Sequence, residues 1–176
     1  MPDNQPVFLV NPHTDPVVVR INGRASYLNS SPLREFFLIA AKQMRRNVLI
    51  DFSNCTSIDS TFLGIVAGAA LDFMDTEPPL RIKLAALSPR NLELVKNLGL
   101  ERLTIVLEDT QPVPQKTPEP GKEQALSADR IGQEDRVRMI ITAHEHLVKC
   151  DESNAERFQD VLTFMRKQRG GPDFVE

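Results

Sequence analysis

Between Val48 and Leu71 the chain reads VLIDFSNCTSIDSTFLGIVAGAAL, and this stretch constrains everything around it. Its opening run, Val48-Leu49-Ile50-Asp51-Phe52, is mostly apolar and too short for a helix, so it predicts a buried strand. The polar residues Ser53 to Ser57 predict a turn. Ile58-Asp59-Ser60-Thr61 then leads into Phe62, Leu63, Ile65, Val66 and Ala69 to Leu71, whose spacing and small side chains suit a helix packed closely on a sheet. Strand, turn and helix together bring Asp59, Ser60 and Thr61 to a helix N-terminus. Such a position is expected to be exposed, and its unpaired N–H groups and dipole favour anions.

The flanking segments supply the rest of a sheet. Val7 to Val10 and Val17 to Ile21 are short apolar runs on either side of Asn11-Pro12-His13-Thr14-Asp15-Pro16, a turn cluster, and predict a hairpin. Gly23 breaks the pattern. A helix then starts near Pro32 with Ser31 as its cap, and carries Leu33, Phe36, Phe37, Ala40, Ala41 and Met44 on one face, with Lys42, Arg45 and Arg46 near its end. After Asp75-Thr76-Glu77-Pro78-Pro79, Leu80 to Leu87 resumes strand character. Ser88 caps a helix with Pro89 in its first turn, the stripe Leu92, Val95 and Leu98, and Gly99 as a left-handed stop, and Leu103 to Leu107 reads as a final strand. Strands and helices alternate from Ile21 to Leu107, so the crossovers are right-handed and the sheet is largely parallel after its hairpin. The expected fold is a small α/β sandwich.

Beyond residue 108 the composition changes. Pro112, Pro114, Pro118, Pro120 and Gly121 predict an extended linker over 109–126. Val137, Ile140, Ile141, His144, Leu147 and Val148 form one helical stripe, and Phe158, Val161, Leu162 and Met165 form another. A pair of such helices buries little alone, so a helical hairpin over 127–170 is expected to dock on the sandwich, on a second copy as a homodimer, or on a partner.

Charge and residue usage narrow the function classes. Basic residues number 21 against 24 acidic ones, without a basic block, which gives no support for nucleic-acid or membrane-surface binding. No apolar run approaches the roughly 20 residues of a transmembrane helix, and the first residues, MPDNQPVF, lack the pattern of a signal peptide. The expected location is therefore the cytoplasm. Cys55 and Cys150 stand far apart, and His13, His144 and His146 are scattered, so they read as solvated or half-buried histidines and no metal site is expected. Neither a Walker-type phosphate loop nor a Ser/His/Asp arrangement is readable, and no cofactor is expected.

Two motifs at matching spacing carry a family resemblance. Asp59-Ser60-Thr61-Phe62-Leu63-Gly64 resembles the Asp-Ser-Ser-Gly-Leu-Gly helix opening of the STAS domain, specifically of bacterial anti-sigma factor antagonists. Leu84-Ala85-Ala86-Leu87-Ser88-Pro89-Arg90-Asn91, followed by Val95-Lys96-Asn97-Leu98-Gly99-Leu100, resembles that family's later strand, Ser-Pro and Gly-Leu helix. The resemblance covers roughly residues 5 to 108, so a STAS-like domain is expected over 1–108, and it implies a mixed sheet with helices chiefly on one side.

The resemblance also implies a function, that of a non-enzymatic regulatory module binding an anti-sigma factor that is itself a serine kinase. Ser60 would be the phosphorylated residue, and a serine phosphatase would reverse the modification. Phosphate would add nearly two negative charges beside Asp59, which the helix dipole tolerates and a docked partner does not. The partner surface implied comprises Asp59, Ser60, Thr61, Phe62, Gly23, Tyr27, Ser53 and Asn54. Asp59 reads equally as a partner contact or as a plain helix cap. Phe62 replaces the family's Gly, and its ring is expected in the core. The competing reading is a non-switching STAS scaffold or accessory subunit whose C-terminal helices make the contact.

Overall fold

The computed structural model describes residues 6–43, 46–108, 122–127 and 130–170. The sandwich is built from β1 (Phe8–Asn11), β2 (Val17–Ala25), α1 (Ser31–Gln43), β3 (Val48–Ile58), α2 (Ser60–Met74), β4 (Ile82–Ala85), α3 (Pro89–Asn97) and β5 (Ile105–Val106). Then come β6 (Gln124–Ala125), α4 (Gln133–Cys150), α5 (Asn154–Arg157) and α6 (Gln159–Arg169). The six strands form one sheet in the order β5-β4-β3-β2-β1-β6. Pairing is parallel from β2 to β5 and antiparallel where β1 meets β2 and β6. This is the mixed, largely parallel α/β sheet that the alternation of elements predicts.

Side-chain alternation decides which face is covered. Val17, Val19 and Ile21 of β2, Val48, Ile50 and Phe52 of β3, and Ile82 and Leu84 of β4 share one core with Leu33 and Phe37 of α1, Phe62, Val66 and Phe73 of α2, and Val95 of α3. Burial of each such side chain contributes about 1.5–3 kcal/mol, and together they define the sheet's helix-covered face. On the opposite face Arg20 donates from Nε to Asp51 Oδ2 at 3.3 Å and pairs through Nη1 with Glu123 Oε1 at 3.0 Å.

Several boundaries differ from expectation. The polar residues Ser53 to Ser57 do not form a turn: they extend β3, because Asn54, Cys55 and Ser57 pair with Asn22, Gly23 and Arg24 of β2. Backbone hydrogen bonding thus runs past the point where the apolar pattern stops. Gly23 has φ +83° within that pairing, beside a register shift, a conformation that a side chain would strain. Ser30, not Ser31, stands at the cap of α1, since Arg34 N donates to Ser30 O at 3.1 Å. The last sandwich strand shortens to Ile105–Val106. Met44, Arg45 and most of the Pro-rich linker expected over 109–126 lie outside the described residues, while Gln124 and Ala125 pair with Val10 and Leu9.

The C-terminal helices dock on the sandwich in cis. α4 lies along α2 and buries Met139, Ala143, Leu147 and Cys150 in the main core. Its opposite stripe, Val137 and Ile141, packs with Leu162 of α6. Asn154 fastens the turn between them, donating from Nδ2 to Leu98 O at 3.0 Å and to Leu147 O at 2.8 Å.

Candidate functional site at the start of α2

Asp59 is the N-cap of α2, with extended backbone angles and a side chain turned back on the helix. Its Oδ1 accepts from Phe62 N at 2.9 Å, and its Oδ2 accepts from Tyr27 N at 2.8 Å. One carboxylate therefore satisfies a free N–H of the helix and pins the loop between β2 and α1 beside it. Of the two roles open for Asp59 in the sequence, this geometry describes capping.

With Asp59 as the cap, the Ser60 hydroxyl is left for another use. Ser60 Oγ lies 2.9 Å from Nε2 of His144, a residue on α4. The other ring nitrogen, Nδ1, lies 2.7 Å from Ile140 O. A carbonyl only accepts, so Nδ1 carries a proton, and in the tautomer this fixes Nε2 is the acceptor and Ser60 the donor. His144 is buried, with the Phe158 ring edge-on at 4.8 Å. Ser60 is accordingly half-buried rather than exposed as expected, because α4 passes over it.

The other predicted site residues fall into two groups. Tyr27, Ser53 and Asn54 are exposed and Gly23 is half-buried, so they form a rim along β2, β3 and the loop that follows β2. Asn54 Nδ2 donates to Asn22 Oδ1 at 3.2 Å, and Ser53 N donates to Asp51 Oδ1 at 2.9 Å. Thr61 and Phe62, both counted in the implied partner surface, lie inside, Phe62 with its ring in the core as expected. The Phe62 ring stacks on Phe8 at 6.3 Å and meets Phe52 edge-on at 6.1 Å, so it fills the core at the first turn of α2 and does not itself cover Ser60.

Three residues escaped the sequence reading. His144 closes the site from 84 residues away. Gly64 and Gly68 let α4 approach, since a Cβ at Gly64 would overlap the Ala143 backbone, and one at Gly68 would overlap the His146 ring. One signal did point there: α2 is apolar all round, and a helix without a polar face is covered on every side.

A Ser–His pair at a strand-to-helix turn has the outline of an activated nucleophile. Here the histidine is oriented by a backbone carbonyl instead of a carboxylate, and it is sealed under α4. The cavity between α1, α2 and α4 holds about 100 Å³ and is lined by Arg34, Asp72, Met139, Thr142 and His146, not by Ser60. Among the described residues no cluster of His, Cys, Asp or Glu is placed to hold a metal. The Cys150 thiol donates to Gly99 O at 3.1 Å, and burial pushes its pKa up to about 11.

Residues 9–108 match the family model described as Mlab, STAS domain. The chain belongs to the STAS family. Helices α4 to α6 of this STAS protein lie beyond the matched residues. Similar solved structures include the anti-sigma factor antagonist SpoIIAA in its unphosphorylated form, at 21% identity and TM-score 0.48, with 58% of this chain and 89% of that one covered. The phosphorylated form of SpoIIAA, a Bacillus cell fate determinant, gives 19% and 0.47, with 58% and 92% covered. A putative anti-sigma factor antagonist from Thermotoga maritima gives 15% and 0.45, with 53% and 80% covered. No curated protein matches the chain. No helix among the described residues is long and apolar enough to cross a membrane.

Proposed function

We propose that this STAS protein is a non-enzymatic regulatory module of the anti-sigma factor antagonist type, which binds a serine kinase that acts as an anti-sigma factor and is switched by phosphorylation of Ser60. The observation that carries the reading is the division of labour at the start of α2. Asp59 does the capping, and the neighbouring hydroxyl serves no capping need of the helix. A phosphate there meets the N-terminal dipole of α2, so the domain tolerates it, while Asp59 and the new charge together repel an anionic or apolar partner face. The rim of Gly23, Tyr27, Ser53 and Asn54 completes the surface offered to the partner. A serine phosphatase resets the switch.

The reading is tested by intact-mass measurement and phosphosite mapping of the full-length protein purified from its own cells, beside Ser60→Ala. A single phosphate that maps to Ser60 and vanishes in the variant is expected, as is loss of the co-purifying kinase with Ser60→Asp. An unmodified Ser60 under every growth condition tried overturns it.

One observation favours a second reading, a non-switching scaffold or accessory subunit. Phe164 is 57% exposed on α6, outside the residues matched to the family. In that case Phe164→Ser weakens partner binding, and Ser60 changes leave it unaltered.

A further inference from the structure

The hydroxyl of half-buried Ser60 is engaged and overlain by the protein's own chain. Its Oγ and His144 Nε2 are 2.9 Å apart, a gap that cannot admit a phosphoryl group. Above it lies a buried ring braced by Phe158 and by the Ile140 carbonyl. Along α2 the seal continues where Ala143 backbone rests on Gly64 and the His146 ring rests on Gly68. At the far end Cys150 Sγ donates to Gly99 O, and Arg157 Nη1 donates to Asn97 O at 2.9 Å. α4 is thus held at its C-terminal end and seated by close backbone approach further up the helix.

We propose that α4 is an intramolecular lid on Ser60: the hydroxyl becomes reachable only when α4 lifts from α2, and a phosphate on Ser60 holds the lid off. The modification named here rests on the switch reading above, whereas the lid does not. In the transfer step Ser60 Oγ forms a bond to the terminal phosphorus of a nucleoside triphosphate, the bond to the leaving nucleoside diphosphate breaks, and the hydroxyl proton passes to a base of the kinase. Before the step Ser60 donates to Nε2. Afterwards the same oxygen has no proton to give, and the phosphoryl oxygens occupy the volume of the imidazole. Closure would then force a phosphoryl group into the 2.9 Å space between Ser60 Oγ and a buried ring, which is unfavourable in shape and ends the hydrogen bond that Ser60 donated. Lid and switch are coupled through one hydrogen bond.

Two measurements on the full-length chain test the proposal. In a Cys55→Ser, Cys150→Ser background, the thiol introduced by Ser60→Cys is alkylated with iodoacetamide, alone and with Ala143→Leu, which wedges α4 away from Gly64 without touching His144. A rate about tenfold higher with the wedge is expected for a gate that must open before reaction. Equal rates overturn the lid. Separately, hydrogen exchange is followed in Ser60→Asp and in the parent. Exchange of α4 amides about tenfold faster in Ser60→Asp, with β3 and β4 amides unchanged as proof that the sandwich stays folded, is the expected result. Parent-like protection of α4 in Ser60→Asp overturns the coupling. An unmodified Ser60 in the host would remove the switch reading and leave the alkylation result standing, so the two failures are distinguishable.

Discussion

Asp59 ties together two segments that the sequence separates by more than a helix, and its loss should be felt in both. In Asp59→Ala the Phe62 N–H loses its acceptor, and so does Tyr27 N. Loss of an N-cap of this kind costs about 1–2 kcal/mol, and the unpaired Tyr27 N–H adds little because solvent reaches that loop. Chemical denaturation followed by circular dichroism should show that decrease, and a midpoint equal to the parent's would contradict the capping role. Ser60→Ala removes a different interaction. The cost, about 1–3 kcal/mol for leaving a buried histidine nitrogen unpaired, falls on α4 rather than on the sandwich. At this scale the sequence was informative about Asp59, since an acidic residue before an apolar helical run is a local signal. Phe62 was legible for the same reason: an aromatic ring at the first turn beside a strand has the core as its favoured destination. His144 was not legible, because its partner is 84 residues distant and neither neighbourhood records the other.

Among the elements, α2 shows where local reasoning stops. Strand periodicity, the turn-forming residues and the Ser-Pro cap of α3 located the hairpin and the alternating strands and helices, because each of those signals is contained in a few neighbouring residues. The length of β3 was hidden, because pairing with β2 and not hydrophobicity sets it. The placement of α4 was hidden too, although the apolar α2 already required a second cover. The two glycines of α2 allow that cover to be tested. Replacing either by Ala raises helix propensity by about 1 kcal/mol. At Gly64 the new methyl meets the Ala143 backbone, which cannot yield without moving the whole of α4. At Gly68 it meets the His146 ring, the far end of a side chain that can rotate. Gly64→Ala should therefore destabilise the docked helix by about 1–3 kcal/mol, the usual cost of overpacking, while Gly68→Ala should stay within about 1 kcal/mol of the parent. Hydrogen exchange of α4 amides in the two variants reads the difference directly, and equal effects would mean that α4 is not seated on Gly64.

Across the whole molecule, the docking of α4 on the sandwich makes the protein's state sensitive to pH. His146 faces Gly68 with Arg34 of α1, Asp72 of α2, and Glu145 and Lys149 of its own helix around it. Burial, first, and then the Lys149 charge lower its pKa from the ordinary histidine value, with Asp72 and Glu145 pulling the other way and Arg34 adding a smaller lowering. A folded-state pKa below the unfolded one means that the docked form prefers the neutral ring. Its contribution is fully present above about pH 6.5 and is lost as pH falls through the lowered value, because the released helix takes up the proton first. The Cys150 thiol acts at the other end of the scale. Its pKa is raised to about 11, so its contribution is present below the ordinary thiol value and is lost as pH rises towards 11, where the released thiol ionises first. A tenfold change in a group's proton affinity on docking corresponds to about 1.4 kcal/mol, so neither group alone unfolds the protein and each biases the balance between docked and released α4. Hydrogen exchange corrected for its intrinsic pH dependence should show α4 opening more often at pH 5.5 than at pH 7.5, with the central strands β2 and β3 unaffected. His146→Gln should flatten that response, because it removes the titrating ring and keeps a polar side chain of similar reach. If the acid response survived in His146→Gln, the opening would belong to another group, and the contact between His146 and α2 would be packing alone.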